Sequence, residues 1–298
     1  MTTAPALRAK SQRAKWLVLV AMTGSLSMIM LDQTVVTVAL PSMARHLHLD
    51  AGAQQWVVNA YVLSLAALVA CGGKLGDRLG RATTFRLGVL IFFVASAACG
   101  LAPDAATLIA SRLVQGMGAA LMMPASSAIV ISAFPLWERG RAMALYAGIS
   151  QVFLAAGPLL GGFLTEAVSW RAVFWLNVPV GIVALVMVRV ARPDNQRLAA
   201  SRLGRLDLAL LTGGIGSLVV GIQQATAWGW GSPATLSAIS CGLAALAVLP
   251  GGNCGATTRC STCGSSPSGR SSATLRSWAC CSSGCCPWCS TPRSSCRT

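Results

Sequence analysis

From Trp16 to Leu40 the chain carries a single charged residue, Asp32. Long, nearly uncharged runs of this kind recur, and no other feature limits the fold as much. A membrane-crossing helix needs about 20 mostly apolar residues, and hydrocarbon offers an exposed backbone no hydrogen-bond partner. Eight runs meet that need: 16–40, 56–74, 84–102, 106–132, 142–165, 172–190, 207–227 and 234–250. Arg8, Lys10, Arg13 and Lys15 before the first run give it the outline of a signal peptide. Seven further runs follow, which makes it an uncleaved first span.

The expected fold class is therefore an all-α membrane protein, a helical bundle. Composition agrees: 10% of residues are charged, against about 25% in soluble domains. The net charge of +15 raises the question of nucleic acid. The basic residues, however, lie in short clusters between apolar runs, with no basic surface interleaved with aromatics, so no nucleic-acid partner is expected. Assigning alternate loops to opposite sides puts fifteen basic residues on one side, from Arg8 and Lys10 through Lys74, Arg139 and Arg141 to Arg205. The other side has only Arg45 and Arg171. The positive-inside rule then places the N-terminus in the cytoplasm.

Several polar positions stand out. Asp32 lies inside a span, where a charge costs about 2.5–3.5 kcal/mol on insertion scales, and an intramembrane acid is by default a functional candidate. The alternative is an Asp32 near enough to the outer interface to be solvated. Arg112, in "ASRLVQGMGAALMMP", is the one basic residue placed inside a span away from its edges; it needs a partner or a water-filled cavity, and Gln115 follows one turn later on its face. Gly116 and Ala120 form a small-xxx-small pair suited to close helix approach. Asn59 and Tyr61 in the second span are candidate cavity-lining groups, with interhelical hydrogen bonding the competing role. Between spans two and three, "GGKLGDRLGRATTF" offers Gly73, Gly76 and Gly80 for a tight reversal over about ten residues, Asp77 as a helix cap or ion-pair partner, and Arg78 and Arg81 facing the cytoplasm. In "AAGPLLGGFL", Gly157 and Gly161 make a GxxxG packing face, and Pro158 frees a carbonyl that neighbouring helices must satisfy. Trp170 and Trp175 suit an interfacial aromatic belt. His46 and His48 are a weak metal pair without a third ligand; no metal site, cofactor or enzymatic activity is expected.

Taken in order, these motifs resemble the major facilitator superfamily. Gly73, Leu75, Gly76, Asp77, Arg78, Gly80 and Arg81 match its G-x-L-[AG]-D-R-x-G-R loop, although Ala82 stands where another basic residue is usual. "LDQTVVTVALP" is similar to the first-span signature of the 14-helix drug:proton antiporters, with Thr37 in place of asparagine. Arg112 and Gln115 match R-x-x-Q-G-x-G-A-A. Gly157, Pro158, Gly161 and Gly162 match the antiporter G-P-x-x-G-G, with Phe153 at an upstream position that is often glycine. "WRAVFWLNVPVG" matches W-R-x-x-F-x-x-N-x-P. The resemblance covers about residues 14–250.

It implies a six-helix N-terminal half at 16–192, preceded by a basic cytoplasmic N-terminus at 1–15. A basic cytoplasmic loop at 193–206 and two linking helices at 207–250 follow. The implied activity is proton-coupled export of drugs or other amphipathic compounds across the cytoplasmic membrane. Protons and an amphipathic small molecule would be its partners, within the lipid bilayer and with no oligomeric state set by the sequence. Asp32 would stand nearest the proton or substrate path, with Arg112 as its electrostatic partner. Gly73, Asp77, Arg78, Gly80 and Arg81 would form a cytoplasmic latch, and Gly157, Pro158, Gly161 and Gly162 would let the fifth helix bend and pack.

Residues 251–298 change character: nine of the twelve cysteines fall there, and no acidic residue does. Cys260 with Cys263 and Cys286 with Cys289 have the outline of paired zinc ligands. Only Leu275, Trp278 and Trp288 offer such a module anything to pack on. A disulfide knot needs an oxidising compartment, whereas an even number of spans leaves the tail cytoplasmic. A shifted reading frame explains more. Cysteine and tryptophan codons begin TG, and moved one base upstream each becomes NTG, encoding Leu, Val or Met. Trp278, Cys280, Cys281, Cys285, Cys286, Trp288 and Cys289 would all turn apolar, the pattern of a ninth membrane helix. On that reading the chain is truncated within its family's length. A membrane-anchored metal or thiol module and a non-functional fragment are the alternatives.

Overall fold

The computed structural model of this chain describes residues 4–191 and 205–253. Arg192, Arg197, Arg202 and the tail from Cys254 onward lie outside the described residues. Among those described the protein is all helix: α1 (Ala4–Leu47), α2 (Ala51–Leu79), α3 (Arg81–Leu101), α4 (Ala105–Ala133), α5 (Leu136–Ala167), α6 (Trp170–Ala191), α7 (Arg205–Trp228) and α8 (Pro233–Asn253). The first seven are long and apolar enough to cross a membrane, and the protein is a multi-pass membrane protein. The eighth expected span is only partly met, because the apolar stretch of α8, Pro233–Val248, is shorter than the others.

The helices start and stop where local chemistry directs. The Asp50 and Asp104 carboxylates accept hydrogen bonds from the backbone N–H of Ala53 (3.1 Å) and Thr107 (3.3 Å), satisfying orphan donors at the starts of α2 and α4. Pro41, Pro124, Pro158 and Pro179 all lie inside continuous helices, as membrane helices tolerate when neighbours supply partners. The reversal between α2 and α3 is tighter than the glycine spacing predicts. Gly80 alone, at φ +96°, separates them, while Gly73 and Gly76 belong to α2. One residue at positive φ suffices because glycine has no Cβ to clash there.

Short turns give up-and-down packing. At one end, Lys15 of α1 reaches Glu138 of α5 at 2.5 Å. At the other, Arg171 at the start of α6 donates to the Ala102 carbonyl after α3 (3.3 Å). Small residues set the approach distances in between. A Cβ on Gly116 would run into Ser64 and the Tyr61 carbonyl, and one on Gly72 into the Ala120 carbonyl, so α2 and α4 meet backbone to backbone as the small-xxx-small pair predicts. Gly88 and Gly118 bring α3 against α4 in the same way. Two apolar clusters fill the bundle. One runs from Val18 to Ile29 of α1 with Phe85, Phe92 and Met122. The other gathers Leu31 to Met43 with Leu108, Trp170 and Phe174. Trp170 is thus fully buried in the core beneath Arg171, whose guanidinium lies 4.3 Å from its ring, rather than in the interfacial belt expected for it, while Trp175 is exposed.

Candidate functional site

The polar site sits where the two apolar clusters meet on α1, one residue past Leu31. Asp32 is 1% exposed, which rules out the solvated, interfacial alternative. Its Oδ2 accepts from Arg112 Nη1 at 2.6 Å. Its Oδ1 accepts from Gln115 Nε2 and from Asn177 Nδ2, both at 2.9 Å. A buried carboxylate holds its charge only when paired and hydrogen-bonded, and here α4 and α6 meet both conditions.

Arg112 is satisfied in its turn. Its Nε donates to the Val57 carbonyl of α2 (3.2 Å), its Nη1 also donates to Gln115 Oε1 (2.7 Å), and its guanidinium lies 4.3 Å from the centre of the Tyr61 ring. The i, i+3 spacing that puts Arg112 and Gln115 on one face of α4 lets Gln115 bridge both charges. It accepts from the cation through Oε1 and donates to the anion through Nε2. Tyr61 packs edge-on against Phe92 of α3. Its buried hydroxyl lies beside the Gln33 side chain of α1. Five helices thus converge on one ion pair.

The site residues read from the sequence divide clearly. Asp32, Arg112, Gln115 and Tyr61 come together. Asn59 is half-buried on α2 and outside this network. Asn177 and Ser96 were missed as participants. Asn177 Nδ2 donates to Ser96 Oγ (3.1 Å) as well as to Asp32, and Ser96 Oγ donates to the Phe174 carbonyl (2.9 Å). The signal for Asn177 was visible as the asparagine of "FWLNVP"; nothing in the sequence alone marks Ser96.

At the α2–α3 turn, Gly73, Gly76, Asp77 and Arg81 line a small cleft of about 130 Å3 with Pro124 of α4. Arg81 Nη1 donates across it to the Ala128 carbonyl (3.4 Å), while Arg78 is exposed. On α5, Gly157 and Gly161 lie against Thr34 and Val35 of α1, as a packing face should, but a Cβ on Gly162 would meet nothing within 4 Å. Pro158 points away from the bundle, and α5 continues through it.

The sequence profile of the Major Facilitator Superfamily matches residues 22–213. The chain belongs to that superfamily. As a facilitator-superfamily chain it is 38% identical over 233 residues to the tetracenomycin C resistance and export protein of Streptomyces glaucescens. That match covers 78% of this chain and 43% of that protein. It is also 37% identical over 220 residues to the puromycin resistance protein pur8 of Streptomyces alboniger, covering 74% of this chain and 44% of that protein. The chain thus spans less than half the length of either relative. Among solved structures it resembles the peptide transporter POT in complex with sulfate, with a TM-score of 0.56 and 16% identity over 75% of this chain and 48% of that one. That likeness concerns the fold alone.

Proposed function

We propose that this chain is the N-terminal half, with two linking helices, of a proton-coupled antiporter that exports drug-like amphipathic compounds across the cytoplasmic membrane, N-terminus inside. The observation that carries this reading is the Asp32–Arg112 pair, two opposite charges whose side chains are at most 2% exposed within apolar spans. Intramembrane ion pairs of this kind mark ion and substrate pathways. Relatives described as resistance and export proteins support the export of antibiotics or similar compounds. The lopsided loop charge supports the orientation. The motif set supports the 14-helix antiporter group.

Transport in this architecture rocks two halves about a midplane site, and this chain spans less than half of those two relatives. The 298-residue polypeptide alone in vesicles is therefore expected to move no drug. A chimera joining residues 1–250 to the C-terminal part of the tetracenomycin relative is expected to release protons from an acidified lumen when drug is added, and to lose that release with Asp32→Asn. Drug-dependent proton release undiminished by Asp32→Asn would overturn the role of Asp32. Export by the chain alone would overturn the two-half requirement. The tail belongs to the same proposal as an out-of-frame ninth helix. Sequencing codons 240–300 from independent template, with all frames translated, should reveal one added or lost base that restores an apolar run. An intact frame with stoichiometric zinc bound through Cys286 and Cys289 would favour the metal module instead.

A further inference from the structure

We infer that the cavity between α1, α2, α4 and α5 binds a neutral, planar aromatic molecule with a hydrogen-bonding group on its edge, the ring lying among methionine thioethers and the edge meeting the Gln151 amide. The inference rests on the export reading and narrows its amphipathic substrates to this chemistry.

The cavity holds about 440 Å3, within the range of about 300–1,000 Å3 usual for small-molecule sites. Met30 of α1, Val69 of α2, Met123 of α4 and Met143 of α5 give it apolar walls from four helices, and Tyr146 and Gln151 of α5 complete the lining that matters here. No residue that holds Asp32 lines it, so it is a site apart from the ion pair.

Gln151 separates a ligand site from a groove filled by lipid tails. It lies midway along α5, it is exposed, and its amide has no partner among the described residues. Hydrocarbon would leave such an amide unsatisfied, and polar groups at this depth face the bundle interior or a water-filled space. The other polar groups of the cavity are engaged already. Ser127 Oγ donates to the Pro124 carbonyl (3.1 Å), and the Tyr146 hydroxyl is hydrogen-bonded to Ser126 Oγ (2.7 Å). One free amide, able to donate and to accept, fits one carbonyl or hydroxyl on an otherwise apolar body.

Two features of the walls refine that body. No lining side chain carries a charge, so a charged ligand would enter unpaired and bear the full loss of its hydration. Three of the apolar walls are methionines, on three different helices. Leucine would cover the same area, but a thioether is more polarisable, makes favourable contacts with aromatic rings, and sits on an unbranched chain that adapts to rings of different outline. A second cleft, of about 370 Å3 between α1, α5 and α6, shows the contrast. There Ser27 is turned to Ser150, the Asn177 NH2 is bonded to Asp32 and Ser96, and the exposed walls, Phe163 and Val180 among them, are apolar, as suits lipid tails.

The test is equilibrium binding of tritiated 2-acetylnaphthalene to the full chain in lipid nanodiscs, read by scintillation proximity against nanodiscs without protein and referred to probe concentration in the bilayer. The competitors are 2-acetyldecalin, the same ketone with saturated rings, and 2-ethylnaphthalene, which lacks the carbonyl. The aromatic ketone should bind saturably and about tenfold more tightly than the saturated one, as three modest sulfur–ring contacts together imply. Met30→Leu, Met123→Leu and Met143→Leu combined conserve volume and should erase that preference while the saturated ketone binds as before. Gln151→Leu should bring the acetyl and ethyl compounds to equal affinity. Ala147→Trp, at an exposed lining position, should fill the cavity and abolish binding. Gly24→Leu, whose Cβ enters open space in the other cleft, should leave binding unchanged. Equal affinity for the aromatic and saturated ketones, or a preference that outlives the triple Met→Leu variant, overturns the aromatic class. Binding lost in Gly24→Leu and kept in Ala147→Trp, or no saturable binding at all, overturns the site. None of these touches the export reading, which stands or falls on drug-dependent proton release by the chimera.

Discussion

Helix α1 carries two ion pairs to other helices, and they differ in almost everything except charge. Lys15 meets Glu138 at 2.5 Å near the end of the bundle, with side chains 11% and 35% exposed. Asp32 meets Arg112 at 2.6 Å in the middle, with side chains 0% and 2% exposed. Near-equal distances conceal unequal energetics. At the wet end water screens the attraction and competes for both groups. In the dry middle each charge would be ruinous alone, so four further donors and acceptors and an aromatic face gather around the pair. The first pair closes a contact. The second commits five helices to one geometry, and a single proton can upset it.

The sharpest way to break this contrast is to remove one buried charge. Asp32→Asn leaves Arg112 uncompensated and should destabilise the bundle by about 3–5 kcal/mol, read as a large fall in unfolding midpoint in mixed detergent micelles. Pairing it with Arg112→Gln should recover most of that loss, a strongly non-additive cycle. Arg112→Lys should not substitute, because lysine lacks the planar fork that meets Val57, Gln115 and Asp32 together. If Asp32→Asn cost no more than a surface change, the buried pair would not hold the five helices together.

A smaller effect tests whether the packing that brings α1 and α5 together is as tight as it looks. Gly157→Leu drives a side chain into Thr34, two residues from Asp32, and should cost about 1–3 kcal/mol by overpacking. Gly162→Leu, five residues on and facing open space, should be nearly neutral. Equal losses for the two would mean that the GxxxG face does not set the α1–α5 distance.

These residues also show how far the sequence can be read. Helix order, the packing role of Gly116 and Gly157, and the meeting of Asp32 with Arg112 were legible because each leaves a local mark: an apolar run, a small residue at helical spacing, a charge in hydrocarbon. What was hidden depends on helices far apart in the chain. Ser96 lies 81 positions from Asn177, and only the packing of α3 on α6 joins them. The one-residue turn at Gly80 was overestimated because a glycine-rich stretch reads as loop, while close helix approach uses the same residue type, as Gly72 against Ala120 shows. Trp170 misled in the same way: its amphipathic ring suits an interface, but Arg171 caps it from outside and leaves it core.

The smallest expected effect sharpens the comparison from the exposed side. Lys15→Ala removes the pair with Glu138 and a cation 5.4 Å from the Phe134 ring, yet it should cost only about 0–1 kcal/mol. Trp16 remains packed edge-on against Phe134 at 5.8 Å, so α1 keeps its apolar contact with the turn between α4 and α5 at this end. The salt dependence carries the argument. At an ionic strength of about 1 M the Debye length falls to about 3 Å, and wild type and Lys15→Ala should converge in stability. The gap between wild type and Asp32→Asn should survive the same salt, because counterions do not enter a site that is at most 2% exposed. Convergence of both pairs of curves would mean that water and ions reach Asp32, and that the two ion pairs differ in degree only.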